Sequence, residues 1–174
     1  MNDILEILKY ILPSVIVLLA VWLLVRQFLY NWDSQRKHES LRLLKKTTVP
    51  LQLQAYERIT LFLERITVDS LLVREKDNNL NSREFHQKLL ASIRAEYEHN
   101  LTQQIYISLE AWKIIKNAKE GVVKMINQAA MEIRPEEPAI ELSKRIIELQ
   151  IELNSSPTQV ALDFINKEVS EILS

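Results

Sequence analysis

The order of apolar and polar positions separates two kinds of chain. From Tyr10 to Val25 the sequence reads YILPSVIVLLAVWLLV, sixteen residues without a charge, and its apolar side chains keep to no single helical face. A helix that is apolar all round belongs in a bilayer or a deep core. Sixteen helical residues cover about 24 Å of a ~30 Å hydrocarbon layer. Ile7, Leu8, Phe28, Leu29 and Tyr30 extend the run, while Lys9 and Arg26 are long enough to snorkel to the interface. The nine Val, Ile and Leu residues between Val15 and Val25 favour insertion by about 3–5 kcal/mol. Pro13 falls in the first turn of the span or kinks it. Asp3 and Glu6 at the start, and the bulky RQFLYNW after the run, do not suit a cleaved leader. Residues 1–30 therefore predict a transmembrane anchor, with bilayer contact through residues 10–30.

Beyond Pro50 the pattern turns amphipathic. Ala55, Tyr56, Ile59, Phe62, Leu63 and Ile66 recur at helical spacing and predict a helix over about 51–66. DNNLNS at 77–82 reads as a loop. Asn81 followed by Glu84 makes a capping box for a helix carrying Phe85, Leu89, Ile93 and Tyr97 on one face. The longest helical reading runs from about Leu101 to Ile133. There Ile105, Leu109, Trp112, Ile114, Ile115, Val122, Val123, Met125 and Ile126 cover most of the circumference. Glu110, Lys113, Lys116, Glu120 and Lys124 form a narrow wet strip. PEEP at 135–138 ends it. A helix over 139–153 places Ile140, Ile146, Ile147 and Ile151 at core spacing. Ser156, Pro157 and Gln159 start a last helix with Val160, Ala161, Phe164, Ile165 and Ile172 inward. The fold class is all-α: an N-terminal transmembrane helix, a basic juxtamembrane stalk over 31–50, and an antiparallel bundle of four to five helices over 51–174.

Composition narrows the chemistry. A single glycine, Gly121, cannot supply a phosphate-cradling loop, and it leaves an all-β chain without its turns. Inside a helix it marks a close contact alongside Ala118, or a bend. With no cysteine there is no disulfide and no thiolate site. Basic residues concentrate after the span: Arg26, Arg36, Lys37, Arg42, Lys45 and Lys46, against Lys9 before it. This asymmetry puts the N-terminus outside and the C-terminal domain in the cytoplasm, at the inner membrane. Arg36, Lys37, Arg42, Lys45 and Lys46 also suit contact with anionic lipid, although setting topology is sufficient reason for them. At a pI near 6.3 the chain is a poor candidate for nucleic acid.

The sharpest chemical motif is Glu96-Tyr97-Glu98-His99, since Glu-x-x-His sets a carboxylate and an imidazole on one helix face. Di-iron carboxylate bundles use that spacing twice. Here Arg83 precedes His86 by three and Gln35 precedes His38, so the second copy is missing. No serine sits in a nucleophile elbow, which needs flanking glycines. Trp112 and Tyr106 are candidates for a partner groove, with core packing the commoner role of a tryptophan on a central helix. No catalytic, cofactor or metal residue is expected.

The runs LQAYERI (53–59), LER (63–65) and IRAEYEHNLTQQIYIS (93–108), with Ala111-Trp112 and Ala118-Lys119-Glu120, resemble an uncharacterised bacterial family. Its members share this layout of one short N-terminal span and a cytoplasmic helical domain of unknown function. The resemblance covers about residues 10–170 and implies architecture, with no activity or cofactor to transfer. The leading expectation is a non-enzymatic adaptor or scaffold at the cytoplasmic membrane face, binding a protein partner or itself. The alternatives are an accessory subunit of an envelope complex, using the span as its contact, and a metal-dependent enzyme.

Overall fold

The computed structural model describes the backbone of residues 2–153 and 156–173, and the side chains of 15–28, 46–152 and 156–173. The chain is all-α. Its elements are α1 (Asn2–Arg65), α2 (Val68–Glu75), α3 (Ser82–Asn100), a 3₁₀ turn (Leu101–Ile105), α4 (Leu109–Glu132), α5 (Ala139–Leu153) and α6 (Pro157–Leu173). Among the described residues there is no strand, only an isolated bridge between Asn81 and Pro138. The chain divides into two units, Met1–Thr48 and Val49–Ser174.

One boundary departs from the sequence pattern at once. Pro50 does not begin a helix, because α1 runs through it. The carbonyl it leaves without a helical donor is that of Lys46. The turn Lys46–Thr48 has exposed side chains, so water can satisfy it.

In the first unit, Val15, Ile16, Val17, Leu18, Leu19, Val21, Trp22, Leu23, Leu24, Val25 and Phe28 are all exposed, between 48% and 71%. The Arg26 guanidinium lies 5.3 Å from the Trp22 ring centroid, a cation–π contact. Among the described residues no helix is long and apolar enough to cross a membrane, so the expected transmembrane helix is not supported there. The apolar run extends beyond them: the side chains of Tyr10–Ser14, Leu29, Tyr30 and Trp32 lie outside the described residues. So do those of Arg36, Lys37, Arg42 and Lys45, while Lys46 is described and exposed.

The second unit has one core. The α1 stripe Ala55, Tyr56, Ile59, Phe62 and Leu63, with Ile66 in the turn after it, is at most 3% exposed, and it joins Phe85, Leu89 and Ile93 of α3. α4 adds Ala111, Trp112, Ile115, Ala118, Val122, Met125, Ile126 and Ala129. Helix α4 is central, packing on α6 most closely and also on α3 and α5. Its neighbours α3 and α6 run antiparallel to it: along α3, His86 meets Asn127 and Tyr97 meets Trp112, and along α6, Pro157 meets Gly121 while Glu168 lines a pocket with Glu110. A Cβ on Gly121 would stand 3.0 Å from the Pro157 ring, so the glycine serves close helix approach and not a bend.

Helix α2 has no counterpart in the sequence reading. It is only eight residues long, too short for periodicity to stand out, but Val68, Leu71 and Leu72 are buried at i, i+3 and i+4. The Thr67 hydroxyl accepts from Ser70 N–H, and Arg74 reaches back to donate to the Arg65 carbonyl at the end of α1.

The single helix expected over 101–133 is two elements. Ser108 is the N-cap of α4, its hydroxyl accepting from Ala111 N–H at 3.0 Å. The buried Asn100 donates its side-chain amide to the Glu96 carbonyl, a local bond that competes with further helix. Ile105 and Leu109, expected inside, are 74% and 90% exposed.

Helix α5 buries Ala139, Leu142, Ile146 and Leu149 and leaves Ile140, Ile147 and Ile151 at 50%, 41% and 72% exposure. In α6, Ala161, Leu162 and Ile165 are buried, Phe164 and Ile172 are half-buried, and Val160 is 61% exposed. At the α6 start the Ser156 hydroxyl bonds the Thr158 hydroxyl. Gln159 turns to Asp163, so no capping box closes there.

Candidate functional site

The Glu-x-x-His pair on α3 faces α1 and not a cavity of carboxylates. Glu96 is engaged by Arg65 at 2.8 Å, and the Arg58 guanidinium donates to His99 Nε2 at 3.1 Å. A guanidinium has no acceptor, so that imidazole nitrogen carries the lone pair. Together with Gln54, Glu57, Leu61, Phe62 and Asn100 these residues line a surface groove of about 380 Å³. Two pairs, Arg65–Glu96 and Arg58–His99, cross the α1–α3 seam that walls it. Among the described residues no group of three or more His, Asp or Glu side chains is arranged to hold a metal. His86 bonds Asn127 at 2.8 Å, and the side chain of His38 lies outside the described residues.

Beside that seam the aromatic rings pack. Tyr97 stacks on Trp112, with centroids 5.7 Å apart, and Phe62 tilts against Tyr97 at 6.0 Å. Lys119 places its ammonium 4.4 Å from the Tyr97 centroid. Burial, with the nearby Glu120 carboxylate, pushes the Tyr97 phenol up from its ordinary range. Trp112 is 8% exposed, which makes it a core residue and closes the groove reading for it, whereas Tyr106 is 39% exposed.

A second buried phenol joins three helices. Tyr56 of α1 accepts from Ser108 N–H at 3.4 Å and lies beside Glu168 of α6. Burial pushes its pKa up to about 12; the Ser108 backbone bond opposes this, and Glu168 adds to it. The bond gives Ser108 N–H an acceptor at the corner where no helical carbonyl reaches it. Nothing in the spacing of Tyr56 and Ser108 announces their meeting, since 52 residues separate them.

Other clusters are ionic. Arg145 bridges Glu132 of α4 to Glu148 and Glu152 of α5, and the three carboxylates hold it charged well above its ordinary range. Glu75 is held below the usual carboxylate range: burial opposes this, but bonds from Ser92 and Arg74 outweigh it.

The geometry therefore defines an all-α bundle protein in which two ion pairs, Arg65–Glu96 and Arg145–Glu132, tie one helix to another. The chain belongs to a family of unknown function, DUF7935, whose model matches residues 2–172. Neither a curated protein nor a solved structure matches it.

Proposed function

We propose that this protein is a membrane-anchored helical adaptor. Residues 10–30 form its one span, with the N-terminus outside and the bundle over 51–174 on the cytoplasmic face. The observation that carries the reading is the apolar surface from Val15 to Val25, exposed on every side of α1. In water such a surface is an aggregation hazard, and lipid covers it at no cost in polar groups. The basic residues Arg36, Lys37, Arg42, Lys45 and Lys46 follow it and suit an anionic leaflet. The non-enzymatic reading draws on the paired state of the Glu96–His99 seam, which leaves the one Glu-x-x-His motif engaged by arginines. Tethering concentrates a modest protein interface at the membrane, which suffices for an adaptor.

Carbonate washing of membranes, combined with a reporter fused after Ser174, tests the anchor. Retention in the pellet with cytoplasmic reporter activity is the expected result, and release by the wash sinks the span. A pull-down comparing the native chain with one whose residues 10–30 are exchanged for an unrelated span tests the adaptor. A partner retained after the exchange supports it; a partner lost points to an accessory subunit that binds through the span.

A further inference from the structure

A pocket of about 330 Å³ opens between the first turns of α3 and the last turns of α4, near the lower end of the range for small-molecule sites. Ala130, Met131, Ile133 and Pro135 give it apolar walls, and Arg83, His86, Asn127 and Ser82 supply the polar groups. No carboxylate lines it, in a chain whose second unit carries more acidic than basic residues.

The rim is fixed by its backbone. Ser82 N–H donates to the Glu137 carbonyl at 2.7 Å and Arg83 N–H to that of Pro135 at 3.2 Å. The Ser82 hydroxyl donates to the Pro138 carbonyl, so these groups are occupied. His86 Nε2 is held by Asn127 Oδ1 at 2.8 Å, which orients the ring. Arg58, Arg65, Arg74, Arg134 and Arg145 are each engaged by a side chain. Neither Arg83 nor Arg94 has such a partner among the described residues, and Arg83 is the one that lines this pocket. An unpaired guanidinium at the mouth of a part-apolar pocket with no carboxylate in its lining matches a carboxylate, which it grips with two parallel hydrogen bonds. Met131, 85% exposed, offers its side chain to an aliphatic tail beside that grip.

We propose that this pocket binds a small monocarboxylate with a short aliphatic tail, held by Arg83 at the head and by Ala130, Met131 and Ile133 along the tail. The proposal goes beyond the adaptor reading and does not depend on it.

The chain has three methionines, Met1, Met125 and Met131. Met131 lines the pocket, and Met125 is buried in the core at 3% exposure. Methyl-labelled methionine in the full-length protein therefore reports site and core separately. Hexanoate should shift the Met131 methyl saturably and leave Met125 in place, while 1-hexanol and inorganic phosphate should not. Arg83→Gln should weaken hexanoate by about tenfold or more, the loss of one charge-assisted contact. An unmoved Met125 signal in that variant shows that the fold is intact. A Met131 shift that never saturates up to the solubility limit overturns the proposal. So does equal binding of hexanol or phosphate, or an undiminished affinity in Arg83→Gln with Met125 unmoved.

Discussion

Helices α4 and α5 share an amphipathic plan and meet the core differently. In α4 the polar strip Glu110, Lys113, Lys116, Glu120 and Lys124 is exposed throughout, and that strip leaves a single way to face the core. In α5 large apolar residues occupy two faces. One holds Ala139, Leu142, Ile146 and Leu149; the other holds Ile140, Ile147 and Ile151. Spacing alone does not choose between them. The choice falls to what lies alongside: Arg145 is tied to Glu132 of α4, and Ala139 N–H donates to the Leu80 carbonyl. Polar exclusion, more than apolar content, tells a sequence reader which way a helix turns.

The sharpest break of that contrast is Trp112→Ala, which removes a buried ring from α4. It should destabilise the second unit by about 3–5 kcal/mol, measured by chemical denaturation. A melt left unchanged would contradict the central place of α4. Within α5, Ile146→Ala should cost about 2–5 kcal/mol, against less than about 0.5 kcal/mol for Ile147→Ala. Equal losses would mean that both faces are covered in solution. At the start of α4, Ser108→Ala should cost about 1 kcal/mol by removing the N-cap. Alkaline titration probes the same corner. A phenol raised from 10.0 to about 12 contributes stability below pH 10 and loses it as pH rises through the folded value. The melting temperature should therefore fall between pH 10 and about 12, and Tyr56→Phe should flatten that part of the curve. Smallest of all, Lys116→Ala on the wet strip should move stability by less than about 0.5 kcal/mol.

Local signals were legible wherever the chemistry was contained in a few neighbouring residues. Asn81 and Glu84 close the predicted capping box, at 2.9 Å and 3.0 Å, and the stripe from Ala55 to Ile66, along α1 and the turn after it, is buried as its spacing implies. The break before α4 was also present in the sequence, in Ser108 followed by an acidic first turn, but continuous apolar positions masked it. Long-range features were not legible. The Tyr56–Ser108 bond depends on α1 meeting the start of α4, and the engagement of Glu96 and His99 depends on which α1 arginines face them. The pocket at Arg83 is built from α3, α4 and the turn at 133–138, and no motif within any one of them marks it.

The joint between residues 80–83 and 135–139 is made largely of main-chain bonds: Ser82 to Glu137, Arg83 to Pro135, and Ala139 to Leu80. Such a joint is nearly blind to side-chain identity. Substitutions here that keep the backbone N–H should leave the corner its shape, whereas a proline at 82, 83 or 139 removes a donor. The three amides should likewise exchange slowly with deuterated solvent although they lie in and beside a turn, and a proline at any of them should release its partner strand of backbone to solvent.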